Sequence, residues 1–214
     1  MCYVDVSKGR IHTVCMPVKN RKAEQSDATR RVLLDTARAL FAEFGFAGTG
    51  TEEVVRRAGV TRGALYYHFK DKRALFLAVV DELHSGIATD VAGAMTAVPH
   101  PWEGLRAALA AYLDACMSPE VQRIVLLDAP SVFGWAAWRE FDAEHGAAML
   151  TAMLGGLMEA GLVEPGPIEP LAHMLLGALS EGGLVIAGAE DAAAARAAVG
   201  LSLDRLLRGL RAGP

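Results

Sequence analysis

The stretch from Thr49 to Phe69, TGTEEVVRRAGVTRGALYYHF, constrains the fold more than any other part of the chain. Val54, Val55 and Ala58 give a short apolar helical face. Gly59 stands where that helix must stop, because glycine takes positive φ without steric cost. Val60 then plugs the turn into a core. Thr61 can cap a second helix, whose buried face is marked by Leu65 and Phe69 four residues apart. Thr49 and Glu52 have the spacing of a capping box, which predicts the start of the first helix. The second helix leaves Arg62, Ala64, Tyr67 and His68 outward, with Tyr66 at the boundary. Two short helices around a tight turn form a helix-turn-helix, whose second helix fits the major groove of DNA, about 12 Å wide. Helix pairs of this kind also occur without nucleic acid. Tyr66 and Tyr67 would then be ordinary boundary packing and His68 a solvated side chain.

The flanking segments extend the pattern. Val32, Leu33, Thr36, Ala37, Leu40, Phe41 and Phe44 recur at helical spacing and predict an amphipathic helix over 27–44, ended by Gly45, with Phe46 re-entering the core. A fourth helix begins near Asp71. Lys70, Lys72 and Arg73 put a basic cluster beside the tyrosines, which suits phosphate contacts. The net charge of −4 argues against a nucleic-acid partner, but the charge is unevenly placed. Residues 1–73 hold 14 Lys+Arg and 8 Asp+Glu, a balance of +6; residues 74–214 hold 7 and 17, a balance of −10. The positive field sits where the helix pair lies.

With these residues in register, the chain resembles the DNA-binding domain of the TetR/AcrR family of transcriptional regulators. The resemblance rests on Ala37, Phe41, Gly45-Phe46, Thr49, Glu53-Val54, Ala58-Gly59-Val60, Gly63, Leu65-Tyr66-Tyr67-His68-Phe69 and Lys72. It covers residues 27 to 73. Val55 stands where the family usually has alanine, and Gly50 where it usually has serine or threonine. The resemblance implies a DNA-binding set of Thr49, Thr51, Thr61, Arg62, Gly63, Ala64, Tyr66, Tyr67, His68 and Lys72. Thr51, Tyr67, His68 and Lys72 match positions that commonly touch the DNA backbone. Arg62, Ala64 and Tyr66 lie nearest the base edges.

Residues 1–26 fall outside this pattern and are expected to form a flexible arm, with basic Lys19-Asn20-Arg21-Lys22 within reach of phosphate. The helical pattern needs nothing before Asp27, so Met16 would serve equally as a start. No continuous apolar stretch marks a secretory signal. Cys2, Cys15 and Cys116 are odd in number and widely spaced, so neither a zinc site nor a disulfide framework is expected, and a cytoplasmic setting is. No run of about 18 apolar residues predicts a membrane span. No Gly-x-Ser-x-Gly, phosphate loop, His-Glu-x-x-His or dinucleotide fingerprint supports an enzyme, and no cofactor is expected.

The sequence from Ala74 reads as helices throughout, predicting an all-α fold: an N-terminal helix-turn-helix domain over 27–73 and a larger helical domain over 74–214. Helices are expected over 75–97, 102–117, 119–128 (broken by Pro130), 133–160, 168–189 and 192–211. Leu175, Ala178, Gly182 and Ile186 form one stripe of the penultimate helix, and Val199, Leu203, Leu206 and Leu210 lie on the last. Small residues let helices approach closely, so these eight are the expected interface of a homodimer built on a four-helix bundle. The resemblance implies a ligand receptor in this domain, which makes the expected function a ligand-responsive repressor released from a palindromic operator by a small apolar effector. Trp102, Tyr112, Met117, Phe133, Trp135, Trp138, Phe141, Met149 and Met153 are the candidate pocket residues. A DNA-binding regulator with no small-molecule ligand is one alternative reading, and an all-α enzyme is the rival class.

Overall fold

The computed structural model describes residues 2–7, 10–15 and 21–212. Its body is all-α, as expected. Helix α1 spans Arg21–Gly48, α2 Thr51–Ala58, α3 Arg62–His68, α4 Lys72–Thr96 and α5 Pro101–Ala115. A sixth, α6, runs over 119–133, and α7 over 135–159. The last two are α8, Ile168–Ala187, and α9, Ala192–Arg208. Ahead of them β1, Cys2–Ser7, pairs antiparallel with β2, Arg10–Cys15, setting Cys2 opposite Cys15 and Ser7 opposite Arg10. The expected flexible arm therefore contains a hairpin, and α1 starts at Arg21 rather than Asp27. Lys19 and Asn20 of the basic stretch lie outside the described residues.

Gly45 interrupts α1 where the sequence places the break. Its φ of 71° and ψ of 173° lie in a region that only glycine adopts readily. The chain turns there and brings Phe46 back onto Phe41 and Phe76. Phe76 of α4 lies edge-on to both, each at 4.9 Å between ring centres, and 5.7 Å from Phe133 of α6. One aromatic cluster thus ties the first helix to α4 and α6. Buried Leu33, Leu34, Leu40, Leu65, Leu75, Val79 and Val80 extend it.

Pro130 does not end α6, contrary to expectation. Residues Gln122–Asp128 are π-helical, and the Ala129 N–H reaches the carbonyl of Ile124, five residues back. The widened turn comes just before Pro130, where an α-helix would need a donor that proline lacks and would set its ring against the carbonyl of Leu126. The helix ends instead at Gly134, whose φ of 83° breaks it. A second π-helical stretch, Ala143–Ala147, lies inside α7.

Among the described residues one helix, α8, is long and apolar enough to cross a membrane by length and composition. Here it is a packed helix of the body. Ala172, Leu175, Leu176, Leu179 and Ile186 are buried against its neighbours, and Gly183 packs beneath Cys116 and Leu126.

Candidate functional site

The turn of the helix pair forms as its residues dictate. Gly59 adopts φ 65° and ψ 28°, and the Val60 N–H reaches back to the Val55 carbonyl at 3.3 Å. Thr61 caps α3, its hydroxyl oxygen accepting the Ala64 N–H at 3.1 Å. Leu65 and Phe69 are buried, so α3 turns Arg62, Gly63, Tyr66 and Tyr67 to solvent, with Ala64 and His68 half-buried. Tyr67 is 78% exposed. The Arg62 guanidinium lies 5.6 Å over the Tyr66 ring and 3.8 Å from Glu52, held at the start of the helix. On α2, Glu53 accepts from both Arg56 and Arg57. Those two partners hold its carboxyl down at about pKa 2, so one of the two acidic residues beside the proposed DNA face is neutralised locally.

Two residues of the expected set are placed differently. Thr49 is 2% exposed, and its hydroxyl is donated inward, with Gly45 O at 2.8 Å and Leu40 O at 3.1 Å. It therefore ties off the kink of α1, its side chain turned away from the surface, and forms no capping box; Gly50 is the residue that precedes α2, without a side-chain cap. A hydroxyl that caps a helix can equally satisfy a carbonyl, and here two buried carbonyls compete successfully. Lys72 opens α4 with its ammonium 4.2 Å from the centre of the Phe46 ring, and partial burial lowers its pKa. Thr51 is half-buried at the first position of α2.

The larger domain holds a cavity of about 420 Å³ between α4, α5, α6, α7 and α8. Of the nine expected residues, Tyr112, Trp135 and Trp138 line it. A smaller adjoining space is lined by Tyr112, Met149 and Met153. Trp102, Met117, Phe133 and Phe141 line neither. Trp102 is buried under Arg211, Phe133 packs on Phe76 and Arg73, and Phe141 stacks on Trp138. The wall also contains polar groups that the sequence did not single out: His84 of α4, Cys116, Asp142 and Ser180. His84 lies against Trp138, Phe141 and His145, and its Nε2 has no hydrogen-bond partner among the described residues. Burial and the neighbouring His145 push it down to about pKa 4. Burial raises the pKa of Asp142, Cys116 (to about 11) and Tyr112. Helical spacing of Trp138, Asp142 and His145 on one segment was the available signal. Which helix faced it was not legible. Among the described residues, no three His, Cys, Asp or Glu side chains converge as a metal site would need.

Two walls of the cavity touch the DNA-binding part directly. Helix α4 carries His84 and Ile87 into the cavity and Phe76 into the aromatic cluster. Helix α6 lines the cavity with Val121, Val125, Leu126 and Pro130 and clasps α1 with its other face. Glu120 pairs bidentately with Arg38 at 2.5 and 2.6 Å. Asp128 accepts the Phe46 N–H at 2.6 Å and lies 3.4 Å from Arg123, whose guanidinium covers the space a Cβ of Gly45 would take.

The stripe expected at the dimer interface mostly faces inward. Leu175, Gly182, Ile186 and Leu203 are buried within the chain, and Ala178, Val199 and Leu210 are half-buried. The small residues do permit close approach, but between helices of this chain. A Cβ at Gly182 would come 2.8 Å from Val199 Cγ1, and one at Gly183 would come 3.1 Å from Cys116 Sγ. The outward apolar positions are Met174, Leu184 and Val185 of α8 with Leu201 and Leu206 of α9; of the expected set only Leu206 is among them. Met174 is 73% exposed and Leu201 64%.

Residues 33–79 match the family described as bacterial regulatory proteins of the tetR family, and residues 102–210 match the tetracyclin repressor-like C-terminal domain. The crystal structure of a TetR-family transcriptional regulator from Pectobacterium atrosepticum is 35% identical, with a TM-score of 0.78, covering 89% of this chain and 98% of that one. The TetC protein of transposon Tn10 from Escherichia coli is 25% identical over 76% of this chain and 82% of its own length. The transcriptional regulator AcrR of Shigella flexneri is 35% identical over 50% of each chain.

Proposed function

Since the chain belongs to the TetR family of bacterial regulatory proteins, DNA-binding regulators of transcription, we propose that it acts as a repressor that holds its operator as a homodimer and releases it when a small molecule fills the cavity. A two-fold dimer sets two α3 helices toward half-sites about 34–36 Å apart, so the operator is palindromic. The outward apolar face of α8 and α9 is the surface that supports pairing, because five large side chains would otherwise stay in water on adjacent helices. Such a protein works in the cytoplasm, where its DNA is, and needs neither cofactor nor catalytic group.

The observation that carries the reading is that α4 and α6 each line the cavity and each grip α1 or its aromatic cluster. A ligand that wedges between them moves the helices that set the separation of the recognition helices. Two cavity-lining helices give two levers. Coupling of this kind is a difference in ligand affinity between a DNA-bound and a released arrangement. The test is to footprint the protein on genomic DNA, then titrate candidate ligands against the bound operator by fluorescence anisotropy. Ligand-dependent release with unchanged fold supports the reading. Tight operator binding that no cavity-filling ligand alters refutes the release mechanism. Failure to protect any site refutes the regulator.

A further inference from the structure

The cavity wall is mostly apolar, but it is not indifferent to charge. Asp142 of α7 reaches it half-buried and forms no ion pair among the described residues. Its side-chain hydrogen-bond partner is Ser180 Oγ at 3.3 Å, and that hydroxyl lies nearer to its own backbone acceptor, the Leu176 carbonyl, at 3.0 Å. One hydroxyl proton is shared between the two acceptors, with the carboxylate the more distant. The carboxylate is thus left short of donors in a place where water is partly excluded, and such a group gains most from a ligand that brings a donor and a positive charge together. Trp138 and Trp135 line the same space, two indoles against which a ring or a cation could rest.

The surroundings favour a cation over an anion. His84 is kept neutral by burial, so it adds no positive charge. Glu181 stands at the rim with the same sign as Asp142, while exposed Arg139 and His145 both act on Asp142 in the opposite sense and offset part of the effect of its burial without pairing with it. Residues 74–214 carry a balance of −10, which raises the local concentration of cations. A quaternary ammonium would bring charge without an N–H donor. A neutral alcohol would bring a donor without charge.

Resting on the reading of this cavity as the effector site, we propose that the effector is a protonated amine on an apolar body of about two rings, its ammonium at Asp142 and its body against Trp138 and Trp135. The expected small apolar effector thereby acquires a defined polar end. The experiment uses the full chain and three probes of one shape: 2-(1-naphthyl)ethylamine, 2-(1-naphthyl)ethanol and 3-(1-naphthyl)propanoate, titrated calorimetrically at neutral pH. The amine should bind at least about tenfold tighter than the alcohol, the margin one charge-assisted hydrogen bond provides, and the acid should bind weakest. Asp142→Asn should bring the amine to the alcohol's affinity while leaving the alcohol within about threefold. An alcohol that binds as well as the amine overturns the proposal, and so does an Asp142→Asn variant that keeps the full preference for the amine. Should that variant fail to fold, the wild-type comparison of amine with alcohol decides alone. If none of the three probes binds, the effector-site reading falls and takes the proposal with it; binding by the alcohol alone overturns the proposal and leaves that reading standing.

Discussion

Replacing Gly45 by alanine tests how α1 is joined to the larger domain. The substitution imposes two separable costs. At φ 71° and ψ 173° an alanine sits in a region that costs about 1–3 kcal/mol for any residue with a Cβ. The new methyl also falls where the Arg123 guanidinium lies. That group is the far end of a flexible side chain and can move, but moving it forfeits the contact with Asp128, a partly exposed pair worth at most about 1 kcal/mol. The expected loss is therefore about 1–4 kcal/mol in all. The assay is urea unfolding of Gly45→Ala, Arg123→Ala and the double variant at one fixed protein concentration, because a dimer's apparent stability depends on concentration. With Arg123 already removed, the alanine should cost only the backbone part. A loss below about 0.5 kcal/mol for Gly45→Ala would refute the argument from backbone strain. Equal losses in both backgrounds would refute the contact with Arg123 while leaving the strain intact.

Three other outcomes are expected. Val185→Glu and Leu201→Glu should each give a folded monomer by sedimentation with greatly weakened operator binding, since burying such a side chain is worth about 1.5–3 kcal/mol and symmetry counts it twice; inward-facing Leu175→Glu should instead unfold the chain. Arg62→Ala should relax preference at one base pair per half-site, by about 1–3 kcal/mol, in a randomised operator selection; a uniform loss across the library would make Arg62 a backbone contact. His84 has a folded-state value of about 4 against an ordinary 6.5, so between those pH values the folded chain binds fewer protons than the unfolded one, and stability falls as pH drops through that window by about 2–4 kcal/mol. Unfolding midpoints measured from pH 7 to pH 4 should show this slope flattened in His84→Phe, and an unchanged slope would sink the assignment.

The helix-turn-helix is legible because its signals are local. Gly59, Thr61, Leu65 and Phe69 act within a few residues of themselves, and each does in the fold what its spacing implies. Thr49 misleads for a related reason: a threonine three residues before a glutamate signals a cap only if the hydroxyl is free, and the carbonyls that claim it belong to the kink and to a turn nine residues upstream. Pro130 likewise signals a break only in an α-helix, and nothing local announces a π-helical turn. The cavity is half legible. Tyr112, Trp135 and Trp138 stand out by their chemistry. Asp142, His84 and Ser180 become wall residues only when α4, α7 and α8 meet, which is a property of packing. On α8 and α9 the helical period is right and the phase wrong. A helix apolar on several sides has more than one plausible stripe, and the small residues that suggest a partner chain accommodate Val199 and Cys116 of the same chain.

The grip of α6 on the kink bears on how regulators of this kind can be recombined. Cutting the chain in the loop between α3 and α4 and attaching a different helix-turn-helix looks natural, since that loop joins the reading head to the rest. The joint is wider than the loop. Arg123 is shaped to a residue without a Cβ at 45, Asp128 to a free N–H at 46, and Glu120 to an arginine at 38. A transplanted head that lacks the glycine or the arginine would still fold and still recognise its own operator. It would sit on a receptor that no longer holds it, and the hybrid would be deaf to the molecule that fills the cavity. Carrying positions 120, 123 and 128 along with the head is what would restore its hearing.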